Sequence, residues 1–162
     1  CKKQGRLEKL GYTGVGTPAV FERLIDKFGL PDLIQVPYSL LDRRFESLLT
    51  QLHQQGVEIH TRSAFLQGLF FLSPDQLNPH FETIRPYLQA LSEKYPTPSE
   101  KAAALLKFAI EKPFIDKVVI GLNNANQLAE NIQNLKTVEA INLAPPTQIP
   151  DEILLPNLWP SN

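Results

Sequence analysis

A repeated order of short apolar segment, helix and glycine stop fills the first 62 residues and leaves few folds open. Residues 10–15 read as a strand. Thr17 and Pro18 follow as a helix start, with proline at the first helical position, where a missing N–H removes no bond. Phe21, Leu24, Ile25 and Phe28 recur at i, i+3, i+4 and i+7, which gives that helix one apolar stripe, and Gly29 closes it. Residues 32–37 read as a buried strand. Phe45, Leu48, Leu49 and Leu52 form a second stripe ending at Gly56, and residues 57–62 form a third strand. Strands and helices alternating across loops of a few residues make right-handed βαβ units, and such units build a parallel sheet.

After Ser63 the pattern loosens into a longer loop and then a helix over about 78–94. Thr97, Pro98, Ser99 and Glu100 spell a capping box with proline at its first turn, continued by Ala102, Leu105, Leu106 and Ala109. Residues 117–121 read as a fourth strand, and Asn124 as the N-cap of a helix running to about Asn134. At the other end, residues 1–4 before Gly5 read as the last turn of a helix whose body lies upstream. Pro145, Pro146, Pro150, Pro156 and Pro160 mark an irregular close. The expected organisation is one α/β domain over 1–144, four parallel β/α units with an extra helix before the fourth strand, and a proline-rich tail over 145–162.

Composition narrows the partners. Sixteen basic residues against seventeen acidic ones leave a net charge of -1, so no global field draws the chain to nucleic acid or to an anionic membrane. The apolar runs over 102–110 and 118–120 are far shorter than the roughly 20 residues of a spanning helix. A small-molecule ligand and a cytoplasmic setting are expected, and the lone cysteine excludes an internal disulfide framework. The chain holds no methionine and begins at Cys1, which reads as a fragment or a processed product. An acylated lipoprotein start is the weaker alternative, since apparent structure follows without a spacer.

In a parallel β/α array ligands sit at the carboxyl ends of the strands, where helix N-termini hold anions. That nominates the loops over 13–18, 35–42, 62–69 and 121–127. None carries a G-x-G-x-x-G or P-loop signature. Ser63 and Gly68 bracket a stretch whose backbone N–H groups suit a pyrophosphate, or else a plain surface turn with Phe65 packed beneath it. Gln35 and Tyr38 suit either a ligand ring or a buried carboxamide and a rim tyrosine. Asp42, Arg43 and Arg44 suit an anion clamp, but a helix cap with a local ion pair suits them better. His53, His60 and His80 lack the spacing of a metal site, so no metal is expected, and His60 on its strand is expected to face the helix layer. No serine or cysteine sits in a nucleophile elbow, and no carboxylate pair stands out.

Three ordered motifs then carry a resemblance. QVPYSLLDRR over 35–44 with QGV over 55–57, RSAFLQGL over 62–69, and VVIG over 118–121 with QLAEN over 127–131 resemble the aldo/keto reductase family, especially its bacterial members with LDRR and RSxFLQGL segments. The stretch over 102–113 and LWP over 158–160 are similar as well. The resemblance implies an eight-stranded β/α barrel of which this chain is the carboxyl half, strands five to eight.

It also implies a nicotinamide dinucleotide cofactor, NADP or NAD with the phosphorylated form usual in the family, and hydride transfer to a small-molecule aldehyde or ketone. By matching position Gln35 would hold the nicotinamide carboxamide, and Arg62 stands where many relatives stack a tyrosine. Ser63, Phe65, Gln67 and Gly68 would line the pyrophosphate loop. Gly121, Asn123 and Gln127 would form the loop by the adenosine, with Glu130 and Asn131 on the adenine. Thr13 and Gly14 replace the family's Ser-Asn pair, and Gly121 and Gln127 stand where many members place a Lys and an Arg around the 2′-phosphate. The family's catalytic Asp, Tyr, Lys and His come from its first four strands. The implication is that no catalytic residue lies in this chain, which alone would be inactive and would need the amino-terminal half of the barrel. The alternatives are a non-catalytic half-barrel that self-associates or binds a partner, and a fragment with no independent role.

Overall fold

The computed structural model describes residues 2–144 and 148–160. Strands β1 (Gly11–Thr13), β2 (Leu33–Pro37), β3 (Glu58–Arg62) and β4 (Lys117–Val118) form one sheet in that order, and every pairing is parallel. Helix α1 (Pro18–Phe28) links the first two strands and α2 (Glu46–Gln54) the next two. Three 3-10 turns, α3 (Arg85–Lys94) and α4 (Pro98–Ile110) fill the long excursion to β4, and α5 (Ala125–Asn134) follows it. This is the expected four-unit parallel α/β fold with extra helix before the last strand.

Pairing register decides which side chains share a face. Gln35 pairs with Thr13 and with His60, and His60 pairs with Lys117, so these residues form one row. Val36, Thr61 and Val118 form the next row. Ile34, Val36, Ile59 and Thr61 are fully buried beneath the helices, while Gln35 and His60 are only half-buried on the opposite, concave face. His60 therefore faces away from the helix layer, contrary to the expectation. Period-two alternation leaves two equivalent faces, and the pairing with Gln35 chooses between them. On the concave face Glu58 accepts from His60 Nε2 at 2.7 Å, from Lys117 Nζ at 2.7 Å and from Lys9 Nζ, which ties both edges of the sheet to its centre.

The core is centred on β2, β3 and α2. Tyr38 stacks on Phe108 with centroids 5.9 Å apart and meets Phe114 edge-on, while Phe21 meets Phe45 edge-on at 5.4 Å. Leu48, Leu49 and Leu52 are buried as their spacing requires. In α1 only Phe21 is buried, and Phe28 remains 64% exposed.

Local signals fare unevenly. Thr97 caps α4 with both bonds of the capping box present. Thr17 occupies the N-cap position of α1, yet its side chain makes no capping bond. The helix expected over 78–94 is instead a 3-10 turn (Pro79–Ile84) followed by α3. Pro86 in the first turn of α3 explains the break, since it lacks the N–H that would continue a helix. Strand β4 stops after two residues, although Val119 N–H still donates to Thr61 O at 2.7 Å. Asp42 is not a helix cap, because the N-cap of α2 is Phe45; it is buried and held by both Arg44 Nε and Arg44 Nη2 at 2.9 Å, as the ion-pair expectation has it.

At the ends, Lys2–Gln4 is a single 3-10 turn closed by Gly5 at φ +67, and Cys1 lies outside the described residues. Pro145 and Pro146 also lie outside them. The tail expected to be irregular contains α6 (Asp151–Leu154), packed on the body, and an exposed 3-10 turn (Pro156–Leu158). Ile153 and Leu154 are buried, Trp159 Nε1 donates to Ile153 O at 3.0 Å, and Trp159 stands edge-on to Phe81 at 5.0 Å.

Candidate functional site

Three of the four strand-end loops converge on the segment 62–69. Its backbone is tightly wound, with Ser63, Leu66 and Gln67 at φ +62, +43 and +53 and Gly68 at +87. Left-handed conformations on non-glycine residues cost about 1–3 kcal/mol each and persist only where the surroundings impose them. Here the imposing groups are Leu66, Leu69 and Phe70, all buried in the core, with Leu66 N–H bonded to Ser63 O at 2.8 Å and Gly68 N–H to Phe65 O at 2.9 Å. The loop is a rigid wall with exposed Gln67 on its crest.

On one side of that wall lies a cavity of about 370 Å³ lined by Phe65, Gly68, Phe71, Pro98, Ser99, Ala102, Gly121, Leu122, Asn123, Gln127, Glu130 and Asn131. Small-molecule sites usually occupy about 300–1,000 Å³. The first turn of α5 is organised locally: Asn124 Oδ1 accepts from Gln127 N–H at 3.0 Å, and Gln127 Oε1 accepts from Asn123 N–H at 2.9 Å. Asn131 is only 6% exposed, and its amide makes no hydrogen bond to another described residue. The residue is buried, yet its amide atoms still reach the cavity, where a polar ligand can meet them. Gly68 and Gly121 add to the fit, because a Cβ at either would meet nothing within 4 Å. A nucleoside fits this donor set, which offers an aromatic face, amides and a carboxylate.

On the other side a second cavity of about 310 Å³ is lined by Val15, Pro37, Arg62, Ser63, Leu66 and Gln67, and by Leu154 to Asn157 from the tail. Arg62 donates to Gly14 O and to Ser63 Oγ, both at 3.2 Å, and has no carboxylate partner among the described residues. A half-buried guanidinium without a counter-ion beside a strained loop is suited to an anion.

The sequence-derived residues thus separate. Phe65, Gly68, Gly121, Asn123, Gln127, Glu130 and Asn131 share the first cavity; Arg62, Ser63 and Gln67 share the second. Gln35 lines neither. It sits on the concave face, where its Oε1 accepts from Thr13 Oγ1 at 3.5 Å. Tyr38 is unavailable to a ligand ring, being buried with its hydroxyl donating to Glu46 Oε2 at 3.0 Å, and burial pushes its ionisation well above the ordinary tyrosine value. Besides Phe71, two groups of lining residues have no counterpart in the sequence reading. Pro98 and Ser99 were marked only by the capping box that starts α4, and 154–157 were hidden in a stretch read as irregular. Among the described residues no group of three or more His, Cys, Asp or Glu could hold a metal, and no helix is long and apolar enough to cross a membrane.

Comparison with known proteins gives one family. A model of the "Aldo/keto reductase family" matches residues 1–141. An "Uncharacterized oxidoreductase YqkF" of Bacillus subtilis (strain 168) is 27% identical over 143 residues, which is 82% of this chain and 46% of the relative. The holo form of aldo-keto reductase AKR11C1 from Bacillus halodurans superposes with a TM-score of 0.63 at 25% identity, covering 88% of this chain and 48% of that one. Its apo form gives the same TM-score at 22% identity, a likeness of fold, over 94% and 50% of the two chains. The chain spans about half the length of each of these relatives.

Proposed function

We propose, from the premise that this chain belongs to the aldo/keto reductase family, that it is the dinucleotide-holding half of an NAD(P)H-dependent reductase of aldehydes or ketones. One observation carries the reading: the residues nominated for the adenosine over 121–131 line a single cavity together with Phe65 and Gly68 of the strained loop nominated for the pyrophosphate. The half-length match to the relatives and the holo state of one of them support it.

When bound, the nicotinamide supplies hydride to a carbonyl carbon. The residues of this chain hold and orient. Phe65, Glu130 and Asn131 take the adenine and its ribose. Ser63, Gln67 and Gly68 take the pyrophosphate across the loop, and Arg62 supplies the positive charge there. Gln35, fixed by strand register on the concave face, takes the carboxamide. Proton donation to the carbonyl oxygen falls to residues outside this chain. Tyr38 is committed to Glu46, Asp42 to Arg44 and His60 to Glu58, so none is free as the general acid. We assign residues 1–144 as strands five to eight of a barrel and 145–162 as a tail that forms part of the second cavity.

Titration with NADH or NADPH, followed by nicotinamide fluorescence, tests the reading. Asn131→Leu keeps the volume and removes the unpartnered amide, and should weaken binding about tenfold, the effect of one lost buried hydrogen bond. Unchanged affinity would sink the assignment of this cavity.

A second reading is favoured by the sheet edges. Leu10, Phe28 and Leu30 are exposed near β1, and Val119, Leu122, Leu128 and Ile132 near β4, so a half-barrel that self-associates or binds a partner would cover them. Sedimentation at several concentrations distinguishes the two.

A further inference from the structure

A third cavity, of about 690 Å³, lies where the loop crest, the 3-10 turns that follow it and the tail meet. It is larger than the other two and differs from both in charge. The first has Glu130 on its wall and the second Arg62, whereas every side chain lining the third is neutral. Part of its wall is apolar and fixed. Leu69 and Phe81 are buried, and Trp159 stands edge-on to Phe81 at 5.0 Å with its Nε1–H given to Ile153 O at 3.0 Å. With that N–H taken, the indole offers the cavity only its ring. The rest of the wall includes Gln67, Gln76 and Asn78, all exposed. The Gln67 and Gln76 amides bond no other described residue, and Asn78 uses only its Oδ1, which accepts from His80 N–H at 2.9 Å.

An anion would give up its water in this cavity and meet no cation, and a plain hydrocarbon would strip water from three amides without replacing its bonds. A neutral sugar ring meets both parts of the wall. Its face of C–H groups packs on an indole, and its neighbouring hydroxyls bond to carboxamides, which donate and accept at once. The volume falls within the range of about 300–1,000 Å³ usual for small-molecule sites. We propose that this cavity binds an uncharged sugar ring, stacked on Trp159 and held at its hydroxyls by Gln67, Gln76 and Asn78. The proposal goes beyond the dinucleotide reading and does not depend on it.

Trp159 is the only tryptophan of the chain, so its emission reports on this cavity. Methyl β-D-glucopyranoside, which has no carbonyl to reduce, should shift that emission in the purified protein with half-saturation at about 1–10 mM, the range for a ligand of about a dozen heavy atoms. The corresponding methyl glucuronide, an anion, and cyclohexanol, which keeps the ring and one hydroxyl, should each bind at least about threefold more weakly. Asn78→Asp keeps the bond to His80 N–H and removes the free amide donor, and Gln76→Ala removes an exposed side chain; each should weaken glycoside binding about fivefold. Emission unmoved by the glycoside up to about 100 mM overturns the site. Glucuronide or cyclohexanol binding as tightly as the glycoside overturns the ligand class. Glycoside binding that both variants leave untouched places the sugar elsewhere and overturns the assignment to this cavity.

Discussion

Helix α2 sends Leu48, Leu49 and Leu52 into the core, whereas α1, with the same apolar spacing, buries Phe21 and leaves Phe28 in solvent. The two helices follow one pattern and meet different surroundings. Helix α2 packs over the paired centre of the sheet, between strands that each have a neighbour on both sides. Helix α1 covers β1, a three-residue strand beyond which no described strand pairs. Periodicity therefore specifies which face of a helix is apolar, while the number of neighbouring elements decides how much of that face is removed from water. The centre is a finished core, and the edge leaves much of its apolar face in water.

The contrast can be broken most directly at Leu49. It is fully buried, so Leu49→Ala should cost about 3 kcal/mol of unfolding free energy by loss of transfer energy and creation of a cavity, measured by denaturant titration. A loss below about 1 kcal/mol would mean that the centre packs no better than the edge.

Next comes Glu58, which joins Lys9 before β1 to Lys117 in β4. Hydrogen bonds from Lys117, Lys9 and His60 hold its carboxyl below the ordinary value of 4.5. A depressed folded-state value means that the contribution is present above pH 4.5 and is lost as pH falls below it. Glu58→Gln should therefore flatten the acid limb of the stability curve and speed amide exchange in β1 and β4 more than in β2. Equal exchange in all four strands would remove Glu58 as the tie between edges and centre. The smallest effect is expected at Phe28, where Phe28→Ser should change stability by no more than about 0.5 kcal/mol. A large loss would show that the α1 face is already covered in solution.

What was legible in the sequence follows the range of the interaction that fixes it. Thr97 with Glu100, and Asn124 with Gln127, are bonds across one helical turn, and the spacing alone placed them. The face of His60 needed the register between β2 and β3, which no local pattern contains. The ordered tail was illegible for a similar reason. Its proline spacing reads as irregular, and what holds it is Trp159 against Phe81 and Asp151 with Arg44, contacts between positions far apart in the chain. Apart from Gln35, the residues nominated by motif position flank one loop on its two sides, whereas Pro98 and Ser99 entered the cavity only through the packing of α4 beside α5.

Gln35 is placed by strand pairing and the residues of 62–69 by a loop, and this would give the two ends of the proposed site different histories under mutation. The pairing that holds Gln35 opposite Thr13 and His60 also buries Ile34 and Val36, so a slip that moved the carboxamide would turn the core outward. That position is inherited with the fold and is closed to gradual tuning. The crest of the loop, with Gln67 in solvent, can change residue by residue without unsettling the sheet. Divergence in how such a protein grips its ligand should accumulate at the crest and the tail, and the row through Gln35 should stay fixed as the reference against which those changes are aligned.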